Sequence, residues 1–285
     1  MQLSKIITLA NRRTRLSFLA MERSLRASGC NLPIWVIPYD DHTFELPENS
    51  KWWQIPTIIS WTIQNNIWPA LRKIQCLTTE NYQFVDSDVI FLKNPEQVLK
   101  NCSGFITSCT HWNNPGHTYT TESLRYLRSK TSTWPRLVFN SGQWACDRKL
   151  YDVDSMIYFC EHFYTDTLFT KTQIYKDQAA INLLVNYCDV PITNLTMPPT
   201  NMESTWAGDY QTEEFFNLFE EKDKPYLIHW AGTPVQNDCF INQFIYKNLT
   251  IVERAEFLLN EEQKKIQKKA LRRLIHKLTN FPLIF

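Results

Sequence analysis

Glycine is scarce in this chain, with 6 in 285 residues. A phosphate-cradling loop of the glycine-rich kind needs several within one turn. The place for one, after the first apolar run, reads Asn11-Arg12-Arg13 instead. Cys-x-x-Cys pairs are absent among the 8 cysteines, which fits neither a zinc ribbon nor a dense disulfide framework. No apolar stretch approaches the ~20 residues of a membrane-spanning helix. The N-terminus runs directly into a strand-like segment, so no leader is expected. Net charge is only +1, which argues against a nucleic-acid partner. A reducing, cytoplasmic setting fits these absences, and in it the sequon Asn194-Leu195-Thr196 would carry no glycan.

What is present is ordinary in amount and uneven in placement. A chain of this length can bury one large α/β core or two small ones. Aromatics make up 14%, with 10 Trp; most must be core, and some are suited to flooring a sugar cleft. Residues 264–277 hold seven Lys/Arg and no acid. Of the 30 basic residues, 23 then face 29 acids elsewhere, leaving a body of net −6 with a basic tail.

Lys5 to Ala10 reads as a strand, about Thr14 to Ser28 as a helix stopped by Gly29, and Pro33 to Pro38 as a second strand. Strand, helix, strand opens a parallel sheet, which binds ligands at the C-terminal ends of its strands. Leu9-Ala10-Asn11 is thus either a nucleotide floor or a plain turn. Trp68 to Thr79 reads as a helix carrying Arg72 and Lys73, which could reach a phosphate or simply be solvated.

Phe84-Val85 then runs into Asp86-Ser87-Asp88. Two carboxylates spaced i, i+2 at the end of a buried strand can turn toward one divalent cation, Mn2+ or Mg2+, completed by substrate phosphates. Asp152-Val153-Asp154 has the same spacing but precedes a helix-like segment, so its acids read as helix-start charges. Residues 110–136 form a long polar insertion of the kind that carries function. Val138 to Trp144 reads as a strand with a polar break, and Asp177-Gln178 opens a helix. Lys224 to Gly232 is a strand ending on His229, which is either structural or a third metal ligand, since Mn2+ accepts mixed N and O donors.

In this order the pieces resemble the retaining GT-A glycosyltransferases of the family that includes glycogenin and bacterial lipopolysaccharide galactosyltransferases. The matching segments are Leu9-Ala10-Asn11, Leu71 to Leu77, Phe84 to Asp88, Phe139-Asn140-Ser141-Gly142, Asp177-Gln178 and Ile228 to Gly232, within about residues 5–235. The resemblance implies the GT-A fold: α/β, a mostly parallel sheet flanked by helices, here with a C-terminal basic helix. It implies a metal on Asp86, Asp88 and His229. It implies UDP-sugar contacts from Leu9, Ala10, Asn11, Lys73, Asp86, Ser87 and Gly232, and catalytic contacts from Asn140, Asp177 and Gln178. The activity implied is transfer of a hexose from a UDP-sugar to a carbohydrate or lipid-linked glycan acceptor, with retention.

Two features depart from the family. No Lys follows His229-x-x-Gly232 to steady the leaving phosphate, so Lys73 is the expected substitute. Arg136 stands where some members have an acid. A sugar nucleotidyltransferase and a non-catalytic carbohydrate-binding scaffold remain as alternatives. The expected division is a transferase domain over 1–258 and a basic tail over 259–285. In the tail, Ile266, Ala270, Leu271, Leu274, Ile275 and Leu278 recur at helical spacing. Such a helix suits an anionic membrane surface as a peripheral anchor, or docks on the body with its bases solvated.

Overall fold

A computed structural model describes residues 1–110, 114–122, 124–125, 138–164, 176–210, 224–233, 235 and 239–279. β1 (Lys5–Ala10) is buried along its whole length. Its alternating side chains feed two cores, Ile6 and Ala10 on one face and Ile7 and Leu9 on the other. α1 (Arg15–Ala27) covers the first face with Phe18, Met21 and Leu25. It ends before Gly29, whose φ of 84° suits glycine and closes the helix as expected.

β2 (Ile34–Pro38) and β3 (Ser50–Trp52) extend the sheet in parallel on one side of β1. α2 (Pro56–Gln64) and a ten-residue 3₁₀ run, Pro69–Thr78, lead to β4 (Tyr82–Val85), parallel to β1 on the other side. The chain leaves the sheet as β5 (Val89–Phe91) and α3 (Pro95–Leu99), then returns as β6 (Phe105–Thr107) and β7 (Gln143–Cys146). After α4 (Val153–Tyr164) and α5 (Lys176–Tyr187) come β8 (Ile192–Asn194) and β9 (Leu227–His229). α6 (Gln243–Tyr246) and α7 (Ile251–Thr279) end the described chain.

The main sheet has the order β3-β2-β1-β4-β7-β6-β8. β7 alone among these strands runs against its neighbours β4 and β6; every other pairing is parallel. Helices α2, α4 and α5 pack on the Ile7 face, with Trp61, Met156 and Ile181. The opposite face takes α1 and part of the small antiparallel sheet β5–β9. This is the mostly parallel, helix-flanked α/β sheet expected, in three layers.

Two local readings change. The Pro69–Thr78 segment is 3₁₀ rather than α. Side chains three apart then line up, so that Ala70 and Lys73 both reach one cleft. The strand expected from Val138 begins only at Gln143. The Asn140 side chain accepts from the Gly142 N–H at 2.7 Å and turns the chain there. The proposed boundary at 258/259 falls within α7, a continuous helix of 29 residues.

The first turns of α7 are docked. Phe257 is buried, Arg15 pairs with Glu256 at 2.9 Å, and Arg23 makes two contacts to Glu253 at 2.6 and 2.9 Å. The Arg23 hydrogen bonds hold the Glu253 carboxyl at about 2. Farther on, Leu259 and Ile266 are exposed. Among the described residues no helix is long and apolar enough to cross a membrane. Arg136, most of the insertion expected at 110–136, and the terminal Phe281–Phe285 lie outside the described residues.

No disulfide joins the eight cysteines, all of which lie among the described residues. The sequon is structural: Asn194 Nδ2 donates to the Cys109 carbonyl at 2.7 Å and its side chain is buried.

Candidate active site

The acid pair sits where β4 stops. Phe84 stacks on its cross-strand partner Trp144 at 4.2 Å, which anchors the strand one turn below the site. Asp86 N–H donates to the Gly142 carbonyl at 2.7 Å, the last contact before the chain bends away. Asp88 then leads into β5, whose Val89 lies opposite His229 of β9. That register is what brings a histidine 141 positions from Asp88 beside it. Trp230 N–H donates to the Asp88 carbonyl at 3.1 Å and locks the two together.

Asp86, Asp88 and His229 each offer an atom within 4.8 Å of the others. His229 Nε2 is 3.3 Å from Asp88 Oδ1 and 3.8 Å from Asp86 Oδ2. Two carboxylate oxygens and one imidazole nitrogen form a donor set that could hold a divalent ion, and these three residues fit one. Gly142 closes the site from behind. A Cβ there would lie 2.1 Å from His229 Cε1 and 2.7 Å from Asp86 Oδ2, so glycine is the residue this approach permits.

Lys73 is the buried centre of the charge network. Its ammonium reaches Asp177 Oδ2 at 2.9 Å, the Ser141 carbonyl at 3.0 Å and Asp86 Oδ1 at 3.3 Å. Three N–H bonds meet three acceptors. Burial works against its charge, but Asp177 and Asp86 outweigh it and hold the ammonium above its usual range. Asp177 in turn is held below the ordinary carboxylate range, because Lys73 overrides its burial. Its other oxygen partner is the Ser141 hydroxyl at 3.0 Å. Burial raises Asp86, with Lys73 and His229 offsetting only part. His229 is raised despite burial, by Asp88 and then Asp86.

These groups open onto a cleft of about 410 Å³ at the C-terminal ends of β1 and β4. Of the expected donor and catalytic residues, Leu9, Lys73, Asp86, Ser87, Asp88, Asp177 and Gly232 line it. Gly232 has φ 67° and open space where a side chain would stand. Ala10, Asn11, Asn140, Gln178 and His229 do not line it. Asn11 caps the turn after β1, accepting from the N–H groups of Arg13 and Thr14 at 3.0 and 3.2 Å and donating to Asp40 at 2.7 Å. Gln178 is buried, donates to Thr118 Oγ1 at 2.8 Å and accepts from Ser141 N–H at 3.3 Å. It positions the Ser141 loop on which Lys73 rests. The comparison triplet behaves as expected: Asp152 accepts from the Ser155 N–H and hydroxyl at 2.8 and 2.7 Å, capping α4.

The sequence reading missed the far wall. Phe257, Glu261 and Lys264 of α7 line the same cleft. The apolar run Phe257-Leu258-Leu259 was the available signal that this helix docks before its basic run begins.

No protein-family model matches the sequence, and no curated protein matches it. Solved structures do match in fold. The galactosyltransferase LgtC, in complex with donor and acceptor sugar analogs, aligns at TM-score 0.53 and 12% identity over 88% of this chain and 99% of its own. An active-site mutant of LgtC aligns at TM-score 0.54 and 12% identity over 86% of this chain and 96% of its own. The bifunctional glycosyltransferase WbbM aligns at TM-score 0.53 and 13% identity over 90% of this chain, which spans 51% of WbbM. The fold of this chain is therefore the GT-A fold of glycosyltransferases.

Proposed function

We propose that the protein is a divalent-metal-dependent glycosyltransferase that moves a hexose from a UDP-sugar to a glycan or lipid-linked acceptor, with retention. The observation that carries this reading is the Asp86, Asp88 and His229 cluster at the mouth of a cleft on a GT-A fold. The metal is Mn2+ or Mg2+, with the imidazole favouring Mn2+. When bound, it would supply Lewis-acid stabilisation of the negative charge on the departing diphosphate.

The chain's own residues would do the rest. Leu9 and Ser87, which line the cleft, would bound the nucleotide. The bond broken joins the anomeric carbon to the β-phosphate oxygen, which keeps the electron pair. The bond formed joins that carbon to the acceptor oxygen, whose proton passes to the departing phosphate on the same face. Asp177, kept ionised by Lys73, faces positive charge developing on the sugar. Asn140 and Gln178 would hold the Ser141 loop against which Lys73 and Asp177 rest.

On this reading the transferase domain expected over 1–258 carries the metal site and the cleft floor, and the basic tail expected over 259–285 adds Glu261 and Lys264 to the cleft wall. Exposed Leu259 and Ile266 next to the basic run support peripheral docking on an anionic, cytoplasmic membrane surface. Each base near such a surface contributes about 1 kcal/mol. The protein is expected to sediment with anionic vesicles at low salt and leave them at high salt; indifference to vesicles at low salt removes the tail reading.

The test of the main reading is release of UDP from a panel of UDP-hexoses with and without Mn2+. Metal-dependent release is expected for at least one donor. A nucleotidyltransferase would instead form the UDP-sugar from a sugar phosphate, and a scaffold would turn over nothing.

A further inference from the structure

The cleft carries a cation that the chemistry of its floor does not use. Among its described lining residues the basic side chains are Lys73 and Lys264. Lys73 is only 3% exposed and each of its N–H groups already has an acceptor. It neutralises Asp86 and Asp177, so it has no donor left for a ligand. Lys264 differs on each point. Its side chain is 57% exposed and its described partner is one carboxylate, Glu261, 2.6 Å away on the preceding turn of α7. The Thr233 hydroxyl, also lining the cleft and next to Gly232, is buried without a hydrogen-bond partner. Among the described lining residues, Lys264 and the Thr233 hydroxyl thus have capacity for anionic oxygen, above a floor that carries Asp86, Asp88 and Asp177.

A nucleoside diphosphate leaving a sugar gains one negative charge at its terminal phosphate. The loop after Gly232 shows no lysine to receive it. We propose that Lys264, delivered from the C-terminal helix, is the phosphate-binding lysine of this cleft, exchanging Glu261 for a phosphate oxygen when the diphosphate enters. Glu261 is the resting partner that keeps the ammonium at the cleft wall. The inference rests on the transferase reading above and adds to it a residue from outside the segments that resemble the family.

The test is calorimetric titration of UDP in Mn2+ into the full chain and its variants. A hydrogen bond to a charged group predicts that Lys264→Ala weakens UDP about 10- to 100-fold, with an unchanged melting temperature because the side chain is half exposed. Lys264→Arg is expected to recover most of the affinity. Lys265→Ala, one position along and not lining the cleft, is expected to stay within about twofold of wild type, as an exposed charge screened from the ligand does. With a UDP-sugar that turns over, kcat is expected to fall more than KM rises, since the new charge appears only as the bond breaks. Wild-type affinity for UDP in Lys264→Ala, or an equal loss in Lys265→Ala, overturns the assignment and leaves the transferase reading standing. No metal-dependent UDP affinity in the wild type overturns both.

Discussion

Asp88→Ala is expected to lower sugar transfer by about a thousandfold or more, the scale on which losing one preorganised stabiliser of transition-state charge acts. Asp86→Ala should do the same. Both side chains reach the cleft, and neither serves the main core, so circular dichroism and the melting temperature should change little for Asp88→Ala. Mn2+ titration should show the loss directly, with weaker metal binding in the absence of any sugar. Asp152→Ala provides the internal control. It removes a helix cap with the same Asp-x-Asp spacing, and should lower the melting temperature slightly with unaltered activity. Near-normal transfer by Asp88→Ala in Mn2+ would move the metal site elsewhere. A loss in Asp152→Ala matching that of Asp88→Ala would undo the distinction between the two triplets.

Lys73→Ala is expected to be the most damaging substitution for the fold as well as for activity. It leaves Asp86 and Asp177 facing each other across a buried site with no cation between them. Breaking a buried ion pair by deleting one partner costs about 3–5 kcal/mol. The pH dependence follows from the two shifts. Lys73 is raised, so its contribution is fully present below its ordinary value and lost as pH rises through the folded one. Asp177 is lowered, so its contribution is present above its ordinary value and lost as pH falls through the folded one. The gap between wild type and Lys73→Ala should therefore be widest near neutral pH and narrow toward acid. Denaturant unfolding at pH 7 and at a pH below the ordinary carboxylate value measures it. A gap that is small at pH 7, or that widens in acid, would show that Lys73 is not the counter-ion of these carboxylates.

The acid pair was legible because an apolar run leads straight into it, and the strand–helix–strand opening because Gly29 and the flanking prolines mark its joints. Asp152 was legible for the opposite reason, having no strand behind it. His229 could be located at a strand end, but only the family resemblance joined it to Asp88. The β5–β9 register that joins them is a contact between segments far apart, and no local pattern encodes it. The bend at Asn140–Gly142 was read as strand because Phe139 and Trp144 are apolar on either side of it; the side-chain bond from Asn140 decides otherwise. Lys73 could be recognised as a base near the site, but its saturation depends on three acceptors supplied by three segments. The role of α7 was obscured by its own charge. Seven bases suggested a helix lying on an anionic membrane surface or docked on the body with its bases solvated; the turns just before and at their start form a wall of the cleft.

That wall and the remainder of the tail are one uninterrupted rod. From Lys264 to Thr279 the helix extends about 22 Å at 1.5 Å per residue. A rod pinned at one end by Phe257 and Glu253 transmits a load applied at the other. A bulky protein fused beyond the outer turns is thus expected to disturb the cleft wall that carries Glu261 and Lys264, although it touches none of the residues there. Donor affinities measured with and without such a fusion are consequently not interchangeable, and a fluorophore on the outer turns of α7 would make the same leverage a reporter of donor entry.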